Sequence, residues 1–196
     1  MVEEGVKLER RSMLKLDLGC GGSCREGYTG VDCLQLDGVS VVHDLNRFPY
    51  PFDEGSVDDI WLDQVIEHLS SPLRVAEELF RMCKDRATVR IGVPYFRSRY
   101  MAIDPTHVTA FSVDSFSYFD PDSPLCQRYQ YTDARFRIEK IEFDREWREK
   151  KSFRNLLHRM MVKLANRYPV AYEERLSHLY PLNSLTFTLV AIKNSE

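Results

Sequence analysis

This sequence predicts an α/β protein built on a doubly wound, mostly parallel sheet, and three observations carry the prediction. Short runs of apolar residues with strand periodicity recur along residues 13–93, separated by loops and one clear helical stretch, the order of a parallel sheet with crossovers. A glycine-rich turn, Gly19-Cys-Gly-Gly22, follows the first run at once. Acids close the second, third and fourth runs, at Asp32, Asp44 and Asp63.

Size and composition set the outer limits. The 196 residues fit a single domain over 1–196, large enough for a proper core. A hydrophobic content of 43% and a charged content of 29% are those of an ordinary soluble globular chain. No apolar run approaches the ~20 residues of a membrane span, and the start, Met1-Val-Glu-Glu4, does not read as a signal peptide. Five cysteines lack the paired spacing of a zinc site or a disulfide framework. They are expected to be small buried thiols, and a reducing cytoplasm is the expected setting.

The first strand is expected over residues 13–18, with Leu14, Leu16 and Leu18 on one face. Glycines directly after it permit a sharp turn and bring backbone amides within reach of a ligand. The second strand, residues 28–31, ends in Asp32, an acid placed to accept hydrogen bonds from both hydroxyls of a ribose. Together these read as a nucleoside site at the carboxyl ends of parallel strands. A dinucleotide is excluded: the third glycine of that fingerprint is Cys24 here, and Asp32 follows Gly21 by only eleven residues. About nine residues separate the first two strands, too few for the usual crossover helix.

Residues 38–43 form the third strand, closed by Asp44-Leu45, and residues 57–63 the fourth. Between them lies a Pro- and Gly-punctuated loop. Asp17-Leu-Gly-Cys-Gly21 with its strand-end acid, followed by Phe48-Pro-Tyr-Pro-Phe52 and Glu67-His-Leu69, resembles the class I S-adenosylmethionine-dependent methyltransferases. The likeness covers residues 13–93. It implies a Rossmann-like sheet with S-adenosylmethionine as cofactor and S-adenosylhomocysteine as product. It also implies a site in which Asp17, Gly19 and Gly21 shape the methionine pocket. Asp32 would hold the ribose, Asp44 and Leu45 the adenine, and Asp63 and Gln64 would lie beside the sulfonium. The shortened first connection departs from the family. It removes a helix N-terminus that would meet the methionine carboxylate, and Arg25 in that loop either substitutes or is a solvated charge.

Ser71-Pro72 opens a helix, whose stripe Leu73, Ala76, Leu79, Phe80 and Cys83 faces inward, with Arg74/Glu78 and Glu77/Arg81 as exposed pairs. A turn at residues 84–86 leads to a fifth strand over 87–93. The loop after it, residues 95–111, should roof the cleft where an acceptor enters. It contains Asp104-Pro-Thr-His107, which also occurs in family members encoded with surface-glycan and lipid-glycan pathways. A glycan or lipid-linked small molecule is the acceptor this implies. Imidazole exchanges protons near neutral pH, which makes His107 the first candidate base for an oxygen or nitrogen acceptor and Glu67 the second.

A short helix is expected at 112–119 and long strands at 135–144, with a bulge, and at 183–193. The two strands match the family's terminal antiparallel pair. Between them, residues 145–182 form a basic helical insertion, with eight basic residues and two acidic ones in 145–167. Residues 152–167 can lie on an anionic membrane, cover a lipid-linked acceptor or dock a partner subunit, a second copy forming a homodimer included; a lid packed on its own domain is the alternative. A nucleic-acid methyltransferase stays open as well, because Glu67-His68 plus a distant histidine resembles the metal site of small-RNA 2′-O-methyltransferases. Gln64 replaces the first glutamate of that site, and Glu67 and His68 as helical neighbours would face apart, so no metal is expected. A catalytically silent methyltransferase-like binding subunit is the non-enzymatic alternative.

Overall fold

The structure, a computed structural model, describes residues 13–145 and 156–193. Seven strands form one sheet: β1 (Lys15–Leu18), β2 (Thr29–Asp32), β3 (Val39–Val42), β4 (Val57–Asp63), β5 (Cys83–Pro94), β6 (Phe136–Phe143) and β7 (Ser184–Ala191). Their order is β3-β2-β1-β4-β5-β7-β6. All pairings among β1 to β5 are parallel, and β7 runs antiparallel to both β5 and β6. The order reverses direction at β1/β4, which leaves a crevice at the carboxyl ends there. The bulge expected in β6 lies between Ile138 and Lys140.

Alternation gives the sheet two different faces. Leu16, Leu18, Ile60, Leu62, Val89, Ile91, Leu185 and Phe187 are buried on one side, in the main core. The paired row Asp17, Trp61, Arg90 and Thr188 lies on the other. No described helix connects β1 to β2, β2 to β3 or β3 to β4. Trp61 is nonetheless buried, because Arg25, Arg145 and Arg90 lie over its indole, at 3.9, 4.6 and 5.6 Å from the ring centroid. Guanidinium planes take the place of helix side chains on that face.

Helix α1 (Pro72–Met82) starts where predicted, with the Ser71 hydroxyl accepting from the Arg74 amide. Its polar pairs are not those expected. Glu78 is buried and accepts from the Tyr50 amide at 2.6 Å, while Arg81 bonds Glu78 and the carbonyls of Tyr50 and Phe52. The Glu78 carboxylate takes the loop amide and Arg81 the two loop carbonyls, and together they fasten the aromatic-proline loop to the helix. That attachment overrides the surface i,i+4 pairing.

Other expectations are corrected. The turn at 84–86 lies inside β5: Val57 pairs with Cys83 but Asp59 with Thr88, so extra residues are absorbed as an irregularity, with Arg86 at a φ of 61°. Residues 112–119 form successive turns rather than a helix, because Val113, Phe116 and Phe119 are each drawn into the core. Two short helices were not foreseen, α2 (Arg99–Ile103) and α3 (Pro124–Tyr129). Cys20 and Cys24 pair as a disulfide and Cys33 is exposed, so the expectation of buried thiols holds only for Cys83 and Cys126.

The insertion contains α4 (Leu156–Arg167) and α5 (Pro169–Arg175). Helix α4 packs through Val162 and Ala165. Leu156, Leu157, Met160 and Leu164 are left 53%, 61%, 59% and 38% exposed. Phe153 and the basic residues 148–154 lie outside the described residues. Among the described residues, no helix is long and apolar enough to cross a membrane.

Candidate active site

The crevice at the carboxyl ends of β1, β2, β3 and β4 is shaped first by Gly19, which has a φ of 71°. A Cβ there would lie 2.5 Å from a methyl of Val65, so only glycine lets the turn after β1 pack against the turn after β4. The amides of this turn are not free. Gly19 and Cys20 donate to the Val31 carbonyl at 2.7 and 3.2 Å, and Gly21 donates to the Asp32 carboxylate at 2.9 Å. The expected cradle of ligand-facing amides is therefore closed onto the end of β2 at these three residues. With so short a connection, the turn must bond directly to the next strand.

Asp32 stands at the crevice wall. Its carboxylate also accepts from the Leu34 amide at 3.0 Å. Burial pushes its pKa up, but the amides of Leu34, Gly21 and Cys33 and the Cys33 thiol outweigh this and hold it below the ordinary aspartate value. It is a fixed anion with lone pairs left over. A cavity of about 300 Å³ opens here, lined by Gly19, Asp32, Asp44, Leu45 and Gln64 among the expected residues. Gln64 has a φ of 57° and donates its amide to the Gly92 carbonyl at 2.8 Å. Left-handed backbone in a non-glycine residue is held by its surroundings and concentrates at functional sites.

Four expected cofactor residues do not line this cavity. Arg25 bonds Asp63 at 2.8 Å and lies 3.8 Å from Asp17, whose carboxylate accepts the Arg25 amide at 2.9 Å. Asp17, Asp63 and Arg25 thus form one charge cluster over Trp61, and Gly21 is turned toward Asp32. Burial raises the pKa of Asp17 against the opposing effect of Arg25. The cavity is also lined by Cys33, His43, Asn46, Val65 and Leu69, which sequence reasoning missed, and by His68, which it considered only within a metal-site resemblance. Most of them directly follow or precede an expected strand-end residue, and that adjacency was the available signal.

At one side of the cavity the chain makes a tight 3-10 turn, Ile66–His68. The carbonyl of Glu67 accepts the amides of Val108 and Thr109 at 2.9 and 3.3 Å, which stitches the loop after β5 to this turn. His107 is thereby brought to His68, with ring centroids 4.6 Å apart. Donor atoms of Glu67, His68 and His107 all lie within 4.8 Å of one another. The expectation that Glu67 and His68 face apart does not keep them out of one cluster: neighbours in a 3-10 turn are splayed by about 120°, but His107, brought in through the Glu67 carbonyl, stands within reach of both. The Glu67 side chain is fully buried, and neither carboxylate oxygen meets a hydrogen-bond partner beyond the influence of its own amide. Burial pushes its carboxyl up to about 7, with Asp63 and Asp104 adding to the rise.

No family model matches the chain, and no curated protein matches it. Solved structures do. An S-adenosylmethionine-dependent methyltransferase from Archaeoglobus fulgidus is 18% identical, with 91% of this chain and 86% of that one covered at a TM-score of 0.52. One from Mesorhizobium loti is 14% identical, with 91% of each chain covered at 0.55. Phosphoethanolamine N-methyltransferase 2 from Haemonchus contortus, in complex with phosphomonomethylethanolamine and S-adenosylhomocysteine, is 11% identical at 0.54; the match covers 95% of this chain but 50% of that one. The [4+2]-cyclase SpnF matches similarly, at 17% identity and 0.54, so the likeness fixes architecture rather than reaction. With its strand order, its reversed β7 and these neighbours, the chain has the class I S-adenosylmethionine-dependent methyltransferase fold.

Proposed function

We propose that the protein transfers a methyl group from S-adenosylmethionine to a small-molecule or lipid-linked acceptor. One observation carries the reading: Gly19, Asp32, Asp44, Leu45 and Gln64, each expected at a cofactor-binding position, line a single cavity at the switch point of the sheet. The lining suits the cofactor. Asp32 offers a fixed carboxylate to a ribose, while Leu45, Val65 and Leu69 offer apolar surface to a base. S-adenosylmethionine supplies an electrophilic methyl group on its sulfonium, open to in-line displacement. What remains for the chain is alignment and exclusion of water. Asp32 and Asp44 orient the nucleoside, Gln64 bounds the reacting end, and the loop bearing His107 roofs the acceptor side. His107 is the first candidate base for an acceptor oxygen or nitrogen and Glu67 the second; both are clustered with His68, which lines the cavity.

The membrane is the partner we propose for α4. Its exposed stripe of Leu156, Leu157, Met160 and Leu164 runs beside Arg159, Lys163 and Arg167, all exposed, the composition of a helix that lies in an anionic interface. Calorimetric titration with S-adenosylhomocysteine tests the cofactor. Uptake of label from methyl-labelled S-adenosylmethionine into lipid and small-molecule extracts tests the transfer. Absence of binding removes the reading; binding with no labelled acceptor favours a silent binding subunit.

A further inference from the structure

We infer that Glu67, His68 and His107 form a site for one first-row divalent cation in the wall of the cofactor cavity. Three features converge on it. The first is proximity: one donor atom from each residue lies within 4.8 Å of the other two. Ligands around a zinc-like ion at ~2.0–2.2 Å stand roughly 3.3 Å apart, so side-chain rotations of about 1 Å at the donor atoms close the shell.

The second feature is the Glu67 carboxylate. It is 0% exposed, and neither oxygen has a hydrogen-bond partner among the described residues. A buried carboxylate in that condition is costly unless something cationic or protic completes it. The buried carboxylates Asp144 and Glu78 in this same chain are completed, by the amides of Asn183 and Ser184 and by Arg81. Among the described residues the Glu67 carboxylate has no such partner, and two imidazoles lie beside it.

The third feature is the orientation of those imidazoles. His107 Nδ1 lies 3.1 Å from the Met101 carbonyl, which only accepts, so in the neutral ring Nδ1 carries the proton and the lone pair is on Nε2, 3.9 Å from the Asp104 carboxylate. The Thr106 hydroxyl spends its proton on Asp104 at 2.6 Å, so at 2.8 Å it accepts from His68 Nδ1. The Nε2 lone pair of His68 is left free as well. Asp104, Thr106 and the Met101 carbonyl are therefore outer-shell groups that fix both tautomers, the arrangement that orients metal-bound histidines. Asp104 also accepts the Thr106 amide at 2.9 Å, which holds this relay in place. The Asp-Pro-Thr-His segment thereby has a job for each polar residue.

Two imidazoles and one carboxylate select a borderline ion such as Zn²⁺, Mn²⁺ or Co²⁺ over Mg²⁺ or Ca²⁺, which prefer all-oxygen shells. His68 lines the cavity and belongs to the cluster, so the ion would sit beside any ligand there. With an ion bound, Glu67 and His107 hold it and are not bases; what the ion does at an acceptor rests on the methyltransferase reading, whereas its binding does not.

The test is titration of chelator-treated full-length protein with Co²⁺, followed by the visible d–d absorption of the bound ion, with Zn²⁺ as competitor and Mg²⁺ as control. One equivalent should bind, Zn²⁺ should displace it and Mg²⁺ should not. Glu67→Gln and His68→Ala should each weaken binding by about 100-fold or more. Thr106→Ala, which leaves all three ligands in place, should weaken it ~10–100-fold, as loss of an outer-shell group does. Circular dichroism separates unfolding from ligand loss, and the exposed Thr106 keeps the test informative if Glu67→Gln does not fold. No stoichiometric band, or a band unchanged in His68→Ala, overturns the site. A parallel titration with S-adenosylhomocysteine keeps the two readings apart. Cobalt without the nucleoside sinks the methyltransferase reading alone, and the nucleoside without cobalt sinks the ion site alone.

Discussion

Gly19 and Val65 share one volume: a Cβ on Gly19 would stand 2.5, 2.8 and 3.2 Å from the side-chain carbons of Val65. The turn after β1 and the turn after β4 close on each other across the switch point of the sheet, and both line the cavity. Gly19→Ala adds this clash to a left-handed backbone. It should destabilise the protein by roughly 2–5 kcal/mol, with overpacking costing ~1–3 and the backbone ~1–2. Urea midpoints measure it. Val65→Ala in the same chain should recover the overpacking part but not the backbone part. A Gly19→Ala protein as stable as wild type would show that the two turns can separate.

Asp32→Ala should weaken S-adenosylhomocysteine binding about tenfold or more, since each charge-assisted hydrogen bond is worth roughly 1.5–3 kcal/mol. The Gly21 and Leu34 amides lose an acceptor as well, so a modest stability loss should accompany it. Isothermal calorimetry on the folded variant reads the affinity. Unchanged affinity would remove Asp32 from the cofactor site.

Acid should expose the same carboxylate. Burial raises its pKa, but the amides of Leu34, Gly21 and Cys33 and the Cys33 thiol win, and the folded value lies below the ordinary one. The folded chain then binds fewer protons than the unfolded chain across that interval. Its contribution is complete above the unfolded value of about 3.9 and is lost as pH falls through the lower folded value. Denaturant midpoints taken from about pH 6 down to 3 should show wild type and Asp32→Asn converging at the acid end. Parallel curves would count against the shift.

Helix α4 should bind anionic vesicles in low salt and neutral ones weakly. Each Lys or Arg near such a surface contributes ~1 kcal/mol, so Arg159→Glu with Lys163→Glu should reduce partitioning by roughly 30-fold or more. Sedimentation with vesicles of both compositions measures this. Equal partitioning into both, or into neither, would leave α4 as a lid or a subunit contact.

Local signals carried much of this protein. β4 is found at residues 57–63 as periodicity predicts, and α1 begins at the Ser71-Pro72 signal. Strand ends with acids were legible for the same reason: the turn that follows a parallel strand is set by the next few residues. Illegible were features decided by residues far away in sequence. Glu78 looks like a surface acid until Tyr50 supplies a buried amide. Arg25 reads in sequence as a cofactor ligand or a solvated charge, and only the fold shows its guanidinium bonded to Asp63, 38 residues on. Residues 112–119 read as a helix until three core contacts pull the chain into turns.

By itself, then, the sequence determined the run of strands, the glycine at the first turn and the acids at the carboxyl ends, because periodicity, φ and charge are properties of short segments. Tertiary structure alone decided what those segments meet. The carbonyl of Glu67 accepts two amides from the loop some forty residues further along. That contact draws Glu67, His68 and His107 into one cluster that adjacency in sequence argued against. The physical reason is that a backbone hydrogen bond between distant segments fixes side chains whose meeting no local preference encodes.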